Sequence, residues 1–296
     1  MTKMSGDGAR RLLAVVGAGR MGSQIAVEFA SSGFRTYVLT RDESTARHRL
    51  ADAISLLELK VGEDKGSRSD VNERIVLVSD ATELPSEIEL ALESVPEDLV
   101  LKRTVLSQIA EQLPHAVLAS NTSSFTITDL VPSSEIATRT VGMHYWYPPI
   151  LMDLVELVPA KSEPWAIERA RALISEIGKR SVLVNRDIPG FVWNRLQFAL
   201  LREAYALVRS GVATREDVDL VIRDGLARRL VFTGPFETAA AGGASAFESI
   251  GRRIIPSLSS ASDIDGLEVM VSELSASADE IVRRRDAGLI AWAAPK

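Results

Sequence analysis

The chain has 296 residues, 46% of them hydrophobic and 25% charged, enough to bury a large core and to form two domains. It has no cysteine, which excludes disulfides, thiolate metal sites and a cysteine nucleophile, and its three histidines, His48, His115 and His144, are too few to suggest a zinc centre, so no metal is expected. A net charge of −6 argues against a nucleic-acid-binding face, and neither a signal-peptide core nor a membrane-spanning window is present, so a cytoplasmic protein with a short frayed N-terminus and no membrane partner is expected.

In chain order, the apolar run Leu12 to Val16 stops at G-A-G-R-M-G, after which Ile25, Ala26, Phe29 and Ala30 recur at helical spacing. This reads as strand, glycine turn and helix. Gly17 allows the tight turn, Gly19 lets a pyrophosphate approach the backbone, and Gly22 lets the helix pack closely. Arg20 and Met21 sit between them, in the first turn whose N–H groups face the anion. Gly33 closes the helix, and Phe34 to Leu39 forms a second strand. At its end a NAD site usually offers an acid to the ribose, but here stand Thr40 and Arg41. That pair suits a 2′-phosphate, whereas Asp42 either reaches the ribose or caps the next helix, so NAD and NADP both stay open as cofactors.

A helix is expected from Asp42 to Leu59, a polar loop from Gly62 to Ser69, and strands at Ile75 to Val78 and Ile88 to Leu92. The second strand leads into E-S-V-P-E-D-L-V-L-K, with Pro96 opening a helix whose first turn holds Glu97 and Asp98 and whose next turn holds Lys102. Val117 to Ala119 is a further strand. It ends in S-N-T-S-S, with Asn121 and Ser123 at the sheet edge where parallel sheets bind ligands, although the same residues also suit an ordinary polar turn.

The stretch from Val141 to Val158 holds His144 at the end of one apolar run and Glu156 inside the next, with Pro148 and Pro149 between them to turn the chain back. An imidazole takes a proton near neutral pH, and a carboxylate on its other nitrogen fixes the tautomer, so the pair suits general-base chemistry. A core histidine beside a solvent-facing strand glutamate is the competing reading. Beyond Asp187, Pro189 and Gly190 mark a hinge, and helices are expected at Phe191 to Arg209, Arg215 to Arg223, Phe236 to Ala241, Ala244 to Ile254 and Leu267 to Asp286. The arginine run near residue 284 reads as a solvated helix face. The fold class is therefore α/β: an N-terminal Rossmann-type doubly wound sheet over 1–187, followed by a smaller all-α domain over 188–296.

Taken together, G-A-G-R-M-G at 17 to 22, E-S-V-P-E-D-L-V-L-K at 93 to 102, A-S-N-T-S-S at 119 to 124, G-M-H at 142 to 144, L-V-E-L-V at 154 to 158, D-I-P-G-F-V-W-N-R at 187 to 195 and G-P-F-E at 234 to 237 resemble the 3-hydroxyacyl-CoA dehydrogenase family. The resemblance implies His144 as general base, Glu156 as its orienting partner, Ser123 and Asn194 as groups holding the reacting oxygen, and Glu97 and Lys102 as residues that look after the cofactor. It also implies a homodimer through the helical domain. Two departures bear on substrate: Tyr147 stands where the family usually has Asn, and the chain after Gly243 is unlike the family's usual ending.

The leading expectation is hydride transfer between a nicotinamide cofactor and a 3-hydroxyacyl thioester or related 3-hydroxy acid, with Arg47, Arg49, Lys60, Lys65 and Arg68 available to meet the phosphates of a CoA arm or to form a solvated basic face. The alternatives are a dehydrogenase of a small free hydroxy acid or alcohol, as in gulonate, carnitine and ring-acid relatives, and a dinucleotide-binding protein without turnover, as in the lens crystallins of the family.

Overall fold

Residues 12 to 16 alternate sides of a sheet, and both sides are covered: Leu13 and Val15 join one apolar cluster, Ala14 and Val16 the other. The computed structural model describes residues 11–61, 68–131, 134–275 and 277–293, so the expected frayed N-terminus lies outside the described residues. The first part of the chain runs β1 (Leu12–Val16), α1 (Arg20–Ser31), β2 (Arg35–Leu39), α2 (Glu43–Val61), α3 (Arg68–Arg74), β3 (Ile75–Val78), β4 (Leu90–Glu93), α4 (Leu99–Gln112) and β5 (Val117–Ser120). It continues through two short helices, α5 (Ile127–Leu130) and α6 (Ser134–Ala137), then β6 (Thr140–Tyr145), β7 (Leu154–Val158), α7 (Pro164–Glu176) and β8 (Arg180–Leu183).

The eight strands form one sheet in the order β3-β2-β1-β4-β5-β6-β7-β8. β1 to β6 are parallel, β7 pairs antiparallel with β6, and β8 runs parallel to β7. The first six strands have the doubly wound dinucleotide-binding order, with the topological switch between β1 and β4. Phe29 on α1 meets Phe34 edge-on, with ring centroids 5.4 Å apart, and both are buried. Burying each such side chain stabilises the fold by roughly 1.5 to 3 kcal/mol.

Several elements differ from the expectation. The chain from Arg68 is helical, not part of the polar loop; residues 62–67, with Lys65, lie outside the described residues. Pro96 does not open α4, because Asp98 is the N-cap, accepting from the Leu101 N–H at 2.8 Å, and Glu97 is left outside the helix. The strand β8 went unforeseen: R-S-V-L has no apolar run, since as an edge strand it leaves most of its residues exposed.

The remaining helices are α8 (Trp193–Arg209), α9 (Arg215–Leu220), α10 (Ala227–Leu230), α11 (Pro235–Ala241), α12 (Ala244–Ile254), α13 (Leu267–Ser275) and α14 (Ala278–Ala293). α8 starts two residues later than expected because Phe191 takes the left-handed conformation, with φ +48°. Between α9 and α10, Val221–Leu226 forms a π-helical turn, and the single helix expected from Leu267 to Asp286 is two. The chain divides into two compact units, Trp193–Asp279 forming one, and the rest, including the chain from Glu280 onward, the other. In the helical unit only Tyr205 and Thr238 are buried among the described residues. No helix among the described residues is long and apolar enough to cross a membrane.

Candidate active site

The glycine turn after β1 lies against the end of β4. A side chain at Gly17, where φ is +104°, would meet the Ser94 carbonyl at 2.6 Å, and one at Gly22 would strike the Gly17 carbonyl. Both positions thus require glycine for packing within the turn. Gly19 differs: a Cβ there would meet nothing within 4 Å, and Gly19 caps α1 without any side-chain bond. An open backbone in front of an uncapped helix N-terminus is a cradle for an anionic pyrophosphate, so the residues fit a dinucleotide. Arg20 is exposed beside it, while Met21 packs against the core.

At the end of β2 the Thr40 hydroxyl donates to the Asp42 carbonyl at 3.2 Å. The Asp42 carboxylate accepts from the Thr45 N–H at 3.0 Å and hydroxyl at 2.6 Å, contacts that lower its pKa and commit it to the start of α2. Arg41 is exposed.

The motif after β4 folds into a buried charge cluster. Lys102 places Nζ 2.8 Å from Glu93 Oε1 and 3.1 Å from Glu97 Oε2. Glu93 is fully buried and also accepts from Ser120 Oγ at 2.6 Å and the Val95 N–H at 2.7 Å. Glu97 Oε1 gathers the loop after β5, accepting from Thr122 Oγ1 at 2.5 Å, the Ser123 N–H at 2.9 Å, and Ser124 N–H and Oγ at 3.0 and 2.8 Å. Burial works to raise the Glu97 pKa, but the Thr122 bond, the Lys102 charge and the Ser124 and Ser123 bonds together outweigh it and hold the group at about 2. Sequence reasoning missed Glu93; its only signal was an acid at the end of an apolar strand, nine residues before a lysine. Asn121 spends its amide on neighbours, Oδ1 accepting from the Tyr145 N–H at 2.8 Å and Nδ2 donating to Ser94 Oγ at 3.3 Å.

His144 and Glu156 face each other as a cross-strand pair on β6 and β7, 4% and 1% exposed. His144 Nδ1 lies 2.7 Å from Glu156 Oε2. The reading of Glu156 as a solvent-facing strand residue is thereby excluded. The other carboxylate oxygen accepts from the Val192 N–H at 2.9 Å, and the Phe191 ring tilts against the imidazole with centroids 5.6 Å apart. The linker is pinned at its start as well, where Asp187 accepts from the Ile127 and Thr128 N–H groups at 3.0 and 2.8 Å. Asp187 and Val192 lie in the motif at 187 to 195, from which only Asn194 was expected in the site. Asn194 follows on the first turn of α8, in the helical unit.

Of the five basic residues proposed for a CoA arm, Lys65 lies outside the described residues and the other four are engaged within the chain. Arg47 pairs with Glu43, Arg49 donates to the Ala18 carbonyl, Lys60 to the Ile150 carbonyl and Asp153, and Arg68 to Glu58 and Ser55. In the arginine run, Arg283 and Arg284 are exposed as expected. Arg285 is not: its guanidinium lies 4.8 Å above the Tyr147 ring and pairs with Asp286.

Sheet order, dinucleotide cradle and a buried His–Glu pair at the carboxyl edge define a nicotinamide-dependent dehydrogenase of CH–OH groups. Comparison with known proteins names the family. The model described as 3-hydroxyacyl-CoA dehydrogenase, NAD binding domain, matches residues 12–188, and that of the C-terminal domain matches 190–272; the chain belongs to the 3-hydroxyacyl-CoA dehydrogenase family. It is 35% identical to the human lambda-crystallin homolog over 76% of this chain and 72% of the relative. It is 33% identical to L-carnitine dehydrogenase of Streptomyces coelicolor over 84% and 79%. A crystal structure of 5-formyl-3-hydroxy-2-methylpyridine 4-carboxylic acid 5-dehydrogenase, an NAD+-dependent dismutase, superposes with a TM-score of 0.83 at 27% identity, covering 95% of this chain and 96% of that one.

Proposed function

We propose that the chain oxidises the hydroxyl of a small free hydroxy acid, with His144 as the general base. The observation that carries this reading is the 2.7 Å contact between His144 Nδ1 and Glu156. A carboxylate on Nδ1 keeps the proton there and leaves the Nε2 lone pair to take the hydroxyl proton; it also stabilises the imidazolium that results. In the reverse direction the same imidazolium returns the proton. When bound, the nicotinamide accepts the hydride from the carbinol carbon. Ser123, held at its N–H by Glu97, and Asn194, on the strength of its motif, are assigned to the developing oxyanion.

A free acid is favoured over a thioester because Arg47, Arg49, Lys60 and Arg68 already have partners within the chain. The ring-acid relative is named for a carboxylic acid, and the other dehydrogenase relative for L-carnitine. NAD is the cofactor of the matched domain. Tolerance of NADP is proposed in addition, since Asp42 is committed to capping α2 and neither Thr40 nor Arg41 repels a phosphate. A homodimer through the helical unit is proposed from its exposed apolar side chains, among them Phe198, Phe232, Phe236 and Ile255.

The test is a panel of free 3-hydroxy acids, ring-bearing hydroxy acids and matched acyl thioesters, followed by absorbance of the reduced nicotinamide. Higher kcat/KM with free acids is expected. Turnover confined to thioesters would overturn the substrate assignment and leave the chemistry standing.

A further inference from the structure

The turn that joins the two catalytic strands is fastened from below. Between Tyr145 and Leu154 the chain makes one tight helical turn at Pro149–Leu151. Lys179, which leads into β8 and is 5% exposed, donates to the Pro149 carbonyl at 2.7 Å and the Met152 carbonyl at 2.5 Å, and pairs with Glu28 Oε1 at 2.7 Å. An ammonium group has three N–H donors, and all three are matched here. Glu28 is on α1, and one turn earlier on that helix Gln24 Oε1 accepts from the Ile150 N–H at 3.3 Å.

This cluster is a costly way to fill a core. Burial raises the Glu28 carboxyl to about 7 against the opposing effect of Lys179, and among the described residues neither Glu28 Oε2 nor the buried Tyr145 hydroxyl has a hydrogen-bond partner. Two of the Lys179 bonds satisfy backbone carbonyls, but apolar residues of similar volume commonly replace a buried ion pair without loss of stability, so stability alone does not account for the Glu28 side of the cluster. What the pair adds is a connection. The N-terminal turn of α1 forms the dinucleotide cradle, and the same helix, two turns on, holds the loop between His144 and Glu156.

We infer that Lys179 is a positioning residue: through Glu28 it fixes the turn between the catalytic strands to α1, and so sets the imidazole in register with a dinucleotide held at that helix's N-terminus. This rests on the reading of His144 as the base of a dehydrogenase. Small displacements of reacting groups are enough to matter, since a misplacement of about 1 Å can cost on the order of a hundredfold in rate.

The experiment compares the wild type with the double variant Lys179→Met/Glu28→Leu, which keeps the core filled. A cooperative unfolding transition at a lowered Tm, because the Pro149 and Met152 carbonyls lose their donor, and NADH affinity within about twofold are expected, with kcat on the preferred hydroxy acid lower by roughly ten- to a hundredfold. Lys179→Arg should recover part of that loss. Hydrogen exchange supplies a readout independent of turnover: NADH should slow exchange across 146–153 in the wild type and leave it unslowed in the double variant. Should the double variant fail to fold, Glu28→Gln is compared in the same way, with a smaller loss of both kcat and cofactor-linked protection expected. Wild-type kcat together with wild-type protection in either folded variant overturns the inference. Failure of the dehydrogenase reading would look different, as equal turnover by wild type and His144→Ala.

Discussion

Glu156 and Glu97 have the same residue chemistry and opposite surroundings. Glu156 is buried in a strand pair and meets an imidazole, the Trp146 indole N–H and the Val192 N–H, whereas Glu97 sits between helix and loop and collects four donors on one oxygen. The second arrangement has a consequence for acid stability. The folded Glu97 titrates at about 2, below its ordinary value of 4.5. Its carboxylate therefore adds stability that is complete above pH 4.5 and lost as pH falls from there toward 2. Urea unfolding at a series of pH values should show the wild type losing stability more steeply over that window than Glu97→Gln. Parallel pH dependence in the two proteins would show that the Glu97 cluster does not hold its charge.

At the scale of elements, the end of β2 decides cofactor choice. An acid there accepts from the ribose hydroxyls of NAD and repels the phosphate of NADP. With Thr40 in that place and Asp42 drawn into the α2 cap, measurable NADP turnover is expected, and Thr40→Asp with Arg41→Gln should shift the ratio of catalytic efficiencies toward NAD by about tenfold, the effect of one charge-assisted hydrogen bond. Strong exclusion of NADP by the wild type would mean that another group reads the ribose. The elements that carry these sites were largely legible. β1, β5 and β6 are buried on both faces, so they appear as apolar runs, and the glycine turn announces itself by spacing. What stayed hidden depends on contacts distant in sequence. Lys179 follows α7 and finds Glu28 on α1, far earlier in the chain, a pairing that no local pattern announces; Glu93 looks like a strand terminus until Lys102 folds onto it; and the left-handed Phe191 that delays α8 is stabilised in a place only the folded linker creates.

At the scale of the whole molecule, the helical unit buries only Tyr205 and Thr238 among its described residues. Phe232 is 78% and Phe236 88% exposed, and such apolar area costs solubility and stability unless a second surface covers it. Sedimentation at micromolar concentration should give twice the chain mass, and Phe198→Asp should move the protein toward monomer with a lower Tm. A wild type that is monomeric at that concentration would contradict the proposed dimer. The two family domains together match 12–188 and 190–272, so the chemistry is expected to need the chain as a whole. In the proposed reaction a buried imidazole, oriented by Glu156, removes the hydroxyl proton. Turnover of the preferred substrate by His144→Ala, measured beside NADH binding, decides this: a rate lower by about a hundredfold or more with cofactor affinity unchanged is expected, and near-wild-type turnover by the variant would show that another group takes the proton.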